Sequence, residues 1–226
     1  MLNLPPLPPQ FQCLDRDRPI KVYRRGLPHW RQDGATYFVT FRLVDSLPQE
    51  KLHYLNRVRE EWERKHPPPH TAKDWESLER VSTSHVEAWL DEGLGNCHFR
   101  NRQLVDDLVG RLNHFQNDRY FLSCWAIMPN HVHLAMRPFD GHDLEDLIGA
   151  IKGVSARHLN LAIKESGDVW QDESYDRLIR DGEHLWRVIQ YIGRNPRKAG
   201  LAGEESWRRW IHPEWEKAGW GFRNEN

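Results

Sequence analysis

The sequence of 226 residues lacks the features that mark membrane, secreted and cysteine-rich proteins. It contains no run near the roughly 18–20 consecutive apolar residues of a membrane-spanning helix. Its first residues show no basic segment followed by an apolar one, which is the pattern of a secretory signal. Cys13, Cys97 and Cys124 are too few and too far apart to predict a disulfide framework or a cysteine zinc site. We therefore expect a cytoplasmic protein without a membrane partner.

The sequence also has little net charge. Thirty-two Lys and Arg residues oppose 33 Asp and Glu residues, and the resulting net charge of −1 excludes a protein that binds nucleic acid through bulk positive charge. The charges are unevenly distributed, however. Basic residues outnumber acidic ones in residues 1–45 and 151–200, whereas acidic residues outnumber basic ones in residues 46–150. A phosphate-binding face could therefore be assembled from the two basic zones.

Apolar patterning predicts an α+β fold. Tyr37, Val39, Phe41 and Leu43 alternate along residues 35–43, which is typical of a strand, and residues 120–138 have the pattern of two adjacent strands. Helical spacing follows in several segments: residues 50–65, 75–90, 101–117, 144–164 and 182–194, the last ending before Pro196. Strands interleaved with helices favour a small antiparallel sheet with helices on one face.

Two histidines in the second of the adjacent strands are candidate metal ligands. His131 and His133 lie two residues apart, so both imidazoles project from the same face of the strand. Such a pair provides half of a metal site. The alternative is that both are packing or surface histidines, because an accidental pair is easily found among 13 histidines.

Tyr191 and Asn195 form the second candidate pair. They are four residues apart in the last predicted helix and therefore share one helical face, about 6 Å apart along the axis. The Asn195 amide oxygen could complete a metal site with the two histidines, and the Tyr191 phenol would then lie beside it. Alternatively, Tyr191 is a half-buried helix residue and Asn195 caps the helix before Pro196.

Taken together, the four residues indicate phosphodiester chemistry. A metal bound by His131, His133 and Asn195 could polarise a phosphodiester while the Tyr191 phenolate attacks phosphorus. The sequence shows no equivalent acidic cluster, which a carboxylate-bound pair of metals would require. Two imidazoles and an amide suit zinc, iron or nickel better than magnesium, so the chemistry of these residues leaves the metal open.

The motifs resemble those of the REP-associated tyrosine transposases, a group within the HUH single-tyrosine transposases. The resemblance extends in order from about residue 28 to 201 and is interrupted at residues 46–100. It is carried by these segments: Pro28-His29-Trp30, Pro129-Asn130-His131-Val132-His133, Ile151-Lys152-Gly153, Trp170-Gln171, Tyr175-Asp176-Arg177 and Tyr191-Ile192-Gly193-Arg194-Asn195-Pro196.

The resemblance implies a ferredoxin-like fold and a metal-dependent enzyme that cleaves and transfers single DNA strands. In that family Tyr191 would be the nucleophile that forms a 5′-phosphotyrosine, and His131 and His133 would bind Mg²⁺ or Mn²⁺. The motif and the helix spacing both favour Asn195 as the third ligand. The substrates would be single-stranded or hairpin DNA with REP-like palindromes, and the protein would be a monomer or a homodimer. Tyr175 is the rival nucleophile, but no Asn or Gln follows it one turn later.

Candidate DNA contacts come from three segments. Six basic residues lie near the motifs and could contact phosphates, although each could equally belong to a solvated helix face: Lys152, Arg157, Arg180, Arg194, Arg197 and Lys198. Basic residues of the N-terminal segment could reach along a hairpin: Arg16, Arg18, Lys21, Arg24, Arg25 and Arg31. Four tryptophans near the C-terminus could stack on bases, but packing against the core is the favoured interpretation: Trp207, Trp210, Trp215 and Trp220.

These observations predict a Pro-rich, basic arm at residues 1–27, a transposase domain at residues 28–201 and a Trp-rich tail at residues 202–226. Residues 46–100 are predicted to be an acidic helical insertion of unknown role. Two other functions remain open, a hairpin-binding regulator without catalysis and a metal-dependent phosphoesterase that uses water. A covalent protein–DNA adduct, free cut ends or a mobility shift alone would distinguish the three.

Overall fold

The computed structural model describes residues 3–24, 28–68 and 72–223. Its strands form a two-stranded hairpin and a five-stranded antiparallel sheet. In chain order the strands are β1 (Lys21–Arg24), β2 (Pro28–Arg31), β3 (Tyr37–Arg42), β4 (Tyr120–Ile127), β5 (His131–Pro138), β6 (Tyr175–Leu178) and β7 (Arg209–Ile211). The hairpin pairs β1 with β2, and the larger sheet has the order β6-β3-β5-β4-β7.

Long helices separate these strands. They are α1 (Gln49–Lys65), α2 (Ala72–Asp91), α3 (Arg102–Asn113), α4 (Leu144–Ile163) and α5 (Gly182–Lys198), and short helices α6 (Glu205–Arg208) and α7 (Pro213–Trp215) follow. The succession β3-α3-β4-β5-α4-β6 is the β-α-β-β-α-β order of a ferredoxin-like fold. The predicted α+β class with an antiparallel sheet is therefore confirmed. Sequence analysis did not predict the strands β1, β2, β6 and β7.

The main core lies between the sheet and helices α3 and α4. Alternation along β3 directs Tyr37, Val39 and Phe41 into this core, as the sequence pattern predicts. Leu108 of α3 and Leu147 of α4 cover these side chains. These two helices occupy one face of the sheet, which confirms the prediction for the ferredoxin-like part.

Helix α5 lies on the opposite face and refines that prediction. Phe38, which alternates with the main-core residues of β3, packs in a second core with Ile189 and Ile192 of α5. The amphipathic pattern of α5 indicates that it is buried on one side, but it does not specify which face of the sheet the helix covers. This second face also carries the two histidines of β5.

Helix α5 continues through Pro196 to Lys198, whereas the sequence predicted an end at Arg194. Proline lacks an N–H group and removes one helical hydrogen bond, a loss that is tolerated so near the end of the helix. Gly200, two residues beyond the last helical residue, has a φ of +75°, which glycine adopts readily, and the chain turns away from the helix there. Asn195 is therefore a buried residue inside the last turns of the helix rather than its cap.

The insertion at residues 46–100 consists mainly of α1 and α2. The two helices contact each other, and Val86 and Leu90 of α2 pack on Leu47 in a small separate core. Tyr175 of β6 contacts this cluster. The second half of α2 is thereby attached to the edge of the sheet near α5.

The two ends of the chain pack together on the second face. Trp215 and Trp220 are fully buried, and their indole N–H groups donate to the carbonyls of Pro9 and Pro6. This confirms the packing interpretation for these two tryptophans, and Trp207 and Trp210 are partly buried against the main core. Residues 5–11 are consequently held against the protein, which revises the prediction of an unpacked arm. The domain boundaries at residues 27 and 201 stay predictions.

The N-terminal basic residues are not one continuous surface. Arg16 and Arg18 are exposed, but Arg31 forms ion pairs with Glu145 and Asp176. Arg25 and the side chain of Arg24 lie outside the described residues. In the part of the chain that the structure describes, no helix is long and apolar enough to cross a membrane. The cytoplasmic location stays a prediction.

Replacing Gly193 with alanine should destabilise the protein. A Cβ atom at this position of α5 would lie 2.4 Å from Cδ1 of Phe222 and 2.8 Å from its Cγ, so the C-terminal segment would have to move. We expect a loss of about 1–3 kcal/mol in the free energy of unfolding, measured by urea denaturation. Gly110→Ala is the matched control, because nothing lies within 4 Å of a Cβ atom there. That variant should be neutral or slightly stabilised, and equal losses in both variants would contradict the close packing of Phe222 on α5.

Candidate active site

His131 and His133 lie side by side on the face of the sheet that α5 covers. Their places in β5 are set by antiparallel pairing with β3, in which Thr40 is opposite His133 and Arg42 is opposite His131. Both histidines are 1% exposed. Their Nε2 atoms are 3.0 Å apart, so the two rings converge on one point.

The other ring nitrogens are held by polar partners. The Nδ1 atom of His131 is 2.7 Å from Oδ1 of Asn130, and that of His133 is 2.7 Å from Oγ1 of Thr40. The Asn130 oxygen can only accept, so Nδ1 of His131 carries the proton and Nε2 has the lone pair. Hydrogen bonds of this kind fix the orientation and tautomer of histidines that bind metals.

Tyr191 of α5 lies directly over this pair. Its hydroxyl group is 3.4 Å from Nε2 of His133, and the two rings meet edge to face with centroids 5.1 Å apart. Phe38 of β3 contacts both rings. Packing of α5 on the sheet therefore brings the predicted tyrosine to the predicted histidines.

Asn195 lies one turn further along the same face of α5. Its amide nitrogen donates to the backbone carbonyl of Tyr191 over 2.9 Å, which directs the oxygen away from that carbonyl. The residue is 1% exposed, and its Oδ1 atom has no hydrogen-bond partner among residues 3–24, 28–68 and 72–223. A buried amide oxygen without a partner destabilises the folded protein unless a bound ion or other ligand interacts with it.

The residues present fit a metal ion. Two nitrogen ligands at about 2.1 Å from one ion, at a right angle, would be about 3.0 Å apart, which is the separation of the two Nε2 atoms. The buried Asn195 oxygen, which has no hydrogen-bond partner among the described residues, could supply a third donor. No group of three or more His, Cys, Asp or Glu residues suited to a metal occurs within the described ranges. His131, His133 and Asn195 are therefore the residues that could hold a metal on this face.

The segment that contains the two histidines, Tyr191 and Asn195 is similar to a known protein family. Residues 107–195 match the protein family described as Transposase IS200 like. The matched stretch extends from α3 to α5 and contains His131, His133, Tyr191 and Asn195. The resemblance to tyrosine transposases that the motifs predict is thereby confirmed. No curated protein matches the chain.

Two solved structures are also similar to the chain. One is a REP-associated tyrosine transposase bound to a REP hairpin, with 17% sequence identity and a TM-score of 0.39 over 81% of this chain and 77% of that one. The other is a candidate transposase from Deinococcus radiodurans R1, with 15% identity and a TM-score of 0.31 over 76% of this chain and 96% of that one.

Burial keeps the side chains of His131, His133 and Tyr191 uncharged. Burial lowers the pKa of His131 to about 3, and burial together with the charges of His131 and Lys198 lowers the pKa of His133. Burial raises the pKa of Tyr191, and the negative charge of Glu87 raises it further, whereas a hydrogen bond with Asn195 lowers it. The histidines are therefore neutral, as metal ligands must be, and the tyrosine is a phenol.

Two acidic residues of the insertion belong to this site, although sequence analysis did not predict them. The negative charge of the Glu87 carboxylate acts on the Tyr191 phenol and raises its pKa. Asp91 forms an ion pair with Lys198, with 2.5 Å between Oδ2 and Nζ. Their spacing of four residues places both on one face of α2, but the sequence contains no signal that this face meets α5.

Tyr175, the rival nucleophile in the sequence, is placed differently. It lies on β6 opposite Thr40, and its side chain packs against the α2 cluster with Leu90. Burial raises the pKa of its hydroxyl group, and the positive charge of Arg42 opposes this shift. No hydrogen bond joins it to His131 or His133 among the described residues, whereas Tyr191 reaches His133.

The six candidate phosphate contacts predicted from the sequence divide into two groups. Arg194, Arg197 and Lys198 lie on the tyrosine helix, and Arg180 precedes it; all four are exposed. Arg197 pairs with Glu205, and Lys198 pairs with Asp91. These four cations surround the tyrosine helix, and their contact with DNA stays a prediction.

Lys152 and Arg157 belong to α4, which packs on the opposite face of the sheet. Lys152 donates to the carbonyls of Gln171 and Asp172, at the rim of a cleft of about 840 Å³. His29 and Asp176 lie deeper in this cleft, joined over 2.7 Å. The structure therefore does not bring Lys152 and Arg157 to the histidine pair.

Replacing His131 with glutamine should make the free energy of unfolding of the metal-free protein less dependent on pH in the acid range. The histidine titrates near 6.5 when unfolded and at about 3 when folded, so its contribution is present above pH 6.5 and is lost as the pH falls toward 3. Between pH 7 and pH 5 the variant should lose about 2 kcal/mol less unfolding free energy than the wild type, measured by urea denaturation with a chelator present.

His29→Gln provides a control, because the pKa of His29 is shifted in the direction opposite to that of His131. Burial lowers the pKa of His29, but its hydrogen bonds with Asp176 and Glu173 outweigh this and raise it to about 9. The stabilisation from His29 is therefore complete below pH 6.5 and is lost as the pH rises through 9. This variant should change the alkaline side of the profile, and an unchanged acid side in His131→Gln would contradict the buried neutral histidine.

Proposed function

We propose that the protein is a metal-dependent DNA endonuclease and strand transferase of the tyrosine transposase type. The observation that carries the proposal is the position of the Tyr191 hydroxyl, 3.4 Å from one of two converging buried histidines. A nucleophile, a metal-binding pair and a third donor thus occupy one buried face. Within the IS200-like family, the motif sequence further suggests a REP-associated tyrosine transposase.

The reaction would use Tyr191 to cut one DNA strand. A Mg²⁺ or Mn²⁺ ion held by His131, His133 and Asn195 would polarise the scissile phosphate. The phenol oxygen attacks phosphorus, the bond from phosphorus to the 3′ oxygen breaks, and the products are a 5′-phosphotyrosine and a free 3′-OH. The covalent bond conserves the phosphodiester energy, so a 3′-OH can later attack it and rejoin a strand.

The protein positions the nucleophile by packing rather than by flexible contacts. Phe38 fixes the Tyr191 ring edge to face, and the Asn195 amide is tied to the Tyr191 carbonyl. Such pre-orientation lowers the entropic cost of reaching the attacking geometry. The raised pKa of Tyr191 means that a proton acceptor must take the phenol proton during the attack.

The substrate is proposed to be single-stranded or hairpin DNA of the REP type, on the basis of the sequence motifs. The cations around α5 are suited to phosphates on either side of the cut: Arg180, Arg194, Arg197 and Lys198. Contacts of this type are sequence-independent and weaken with salt. Either a monomer or a homodimer is compatible with a site whose four motif residues all belong to one chain.

Replacing Tyr191 with phenylalanine should abolish the covalent adduct. Wild type, Tyr191→Phe and Tyr175→Phe are incubated with labelled hairpin DNA carrying single-stranded flanks and Mn²⁺, and the products are separated on a denaturing gel. The phenylalanine retains the packing on Phe38 but removes the attacking oxygen, so binding should persist without an adduct.

Tyr175→Phe is the matched control in this experiment and should still form the adduct. If the adduct were lost only in Tyr175→Phe, the nucleophile would be Tyr175 and the proposed role of Tyr191 would be wrong. Free cut ends without an adduct in the wild type would favour the phosphoesterase that uses water. Binding without cleavage, with either Mn²⁺ or Mg²⁺, would favour the regulator.

Adding Mn²⁺ to the metal-free protein should raise its thermal unfolding temperature. An ion that binds only the folded state stabilises it by about 2.7 kcal/mol at a concentration 100 times its dissociation constant. Asn195→Ala should bind the ion more weakly and show a smaller rise, since the buried amide oxygen is lost. Asn160→Ala, on α4, is the control and should respond like the wild type. An equal response of Asn195→Ala would remove Asn195 from the metal site.

A further inference from the structure

Around Tyr191, helix α5 presents a surface whose charged side chains are all basic. From residue 184 to residue 198, the side chains that are not buried belong to Tyr191 and to five histidine, arginine or lysine residues: His184, Arg187, Arg194, Arg197 and Lys198. This stretch contains no Asp or Glu. The proposed nucleophile therefore lies within a helix surface of one charge sign.

The solvated helix α1 of the same protein has a different surface. Its basic residues alternate with acidic ones one turn away: Arg59 pairs with Glu63 over 3.1 Å, and Lys65 pairs with Glu61 over 2.6 Å. Surfaces that only need to be soluble usually mix the two signs in this way. Solubility alone therefore does not explain the exposed side of α5, whereas attraction of a negatively charged partner does.

Three of these cations lie on the side of Tyr191 that faces away from the sheet. At 3.6 residues per turn, Arg187, Arg194 and Lys198 are rotated from Tyr191 by about 40°, 60° and 20°, all in the same direction. The buried Asn195 is rotated by about 40° in the opposite direction. Along the helix axis, Arg187 lies about 6 Å before Tyr191 and Arg194 about 4.5 Å after it. The nucleophile is thus flanked by an exposed arginine on each side.

The ion pairs of this surface differ in how easily a phosphate could replace the carboxylate. Arg187 pairs with Glu183 over 3.1 Å, and the two side chains are 66% and 42% exposed. An exposed pair of this kind contributes little free energy, so a phosphate can replace Glu183. Lys198 is paired with Asp91, whose side chain is only 13% exposed. Arg187 is therefore more available to a DNA phosphate than Lys198.

We propose that a single DNA strand lies lengthwise along this side of α5, an inference that rests on the proposed function. Arg187 binds a phosphate on one side of the scissile phosphate, and Arg194 binds a phosphate on the other side. The two contacts hold the strand so that the phosphate between them faces Tyr191. They position the strand without reading its sequence, because they involve only the backbone.

The first test measures how salt weakens the binding of a labelled single-stranded oligonucleotide. Fluorescence anisotropy is recorded over a series of NaCl concentrations with a chelator present, and all proteins carry Tyr191→Phe so that no DNA is cut. Each phosphate contact to a single strand contributes about 0.7 to the slope of log K against log salt concentration. Arg187→Gln and Arg194→Gln should each reduce the magnitude of the slope by about 0.7, and by the same amount for oligonucleotides of different sequence.

Arg59→Gln is the matched control. Arg59 also pairs with a glutamate one turn away over 3.1 Å, but it lies on α1. Its replacement removes the same charge and the same type of ion pair, and the slope should not change. Arg197→Gln should reduce the slope less than Arg187→Gln, because Arg197 lies about 120° from Tyr191 around the helix. Equal reductions in Arg59→Gln and Arg187→Gln would show that only net charge matters and would overturn the inference.

The second test locates the two contacts along the strand. Oligonucleotides are prepared in which one phosphate at a time is replaced by an uncharged methylphosphonate. Neutralising the phosphate that Arg187 contacts should weaken binding when Arg187 is present and should have no further effect in Arg187→Gln. The same comparison with Arg194→Gln should identify a different phosphate, with the cut between the two. A single shared phosphate for both arginines would overturn the lengthwise path.

The inference and the proposed function fail in different ways. Unchanged slopes in Arg187→Gln and Arg194→Gln, together with a normal adduct in the protein that retains Tyr191, would overturn the inference and leave the proposed function intact. Reduced slopes and two separate phosphates, without any adduct, would support the path along α5 while the cleavage activity fails.

Discussion

The antiparallel pairing of β3 with β5 is the constraint on which the site depends. Its register places Thr40 opposite His133, within 2.7 Å of Nδ1, and it directs both histidines to the face that α5 covers. A slip of one residue would turn every side chain of β5 over and exchange the histidines for Val132 and Leu134. Both of those residues are fully buried in the main core, so the energy of the core opposes such a slip.

The second face of the sheet is built from parts that are distant in sequence. Helix α5 is held against the sheet by the C-terminal segment, in which Arg209 donates to the carbonyl of Gly193 and Phe222 contacts the same glycine. Trp215 and Trp220 tie the N-terminal prolines onto this layer. The tyrosine therefore receives its position from packing between segments that are distant in sequence.

Sequence patterns predict the site motifs more fully than they predict the layers around them. The alternation of β5 and the spacing of four residues between Tyr191 and Asn195 indicate which side chains share a face, because these periods are properties of the strand and the helix themselves. That α5 covers the face carrying His131 and His133 depends on packing between distant segments, which periodicity does not encode. The same limit applies to Glu87, because the pattern of its helix does not indicate that its charge acts on Tyr191. Pro196 also lies within α5, although the sequence predicted that the helix would end before it. A proline so near the end of a helix removes only one hydrogen bond and is therefore tolerated.

The central claim is that Tyr191 becomes covalently attached to DNA, and peptide mapping of the adduct tests it most directly. The protein is incubated with hairpin DNA and Mn²⁺, digested with nuclease and protease, and analysed by mass spectrometry for a peptide that carries a nucleotide. The account predicts a 5′-phosphotyrosine at Tyr191, in the peptide between Arg187 and Arg194. A modified peptide containing Tyr175, or cleaved DNA with no modified peptide, would contradict it.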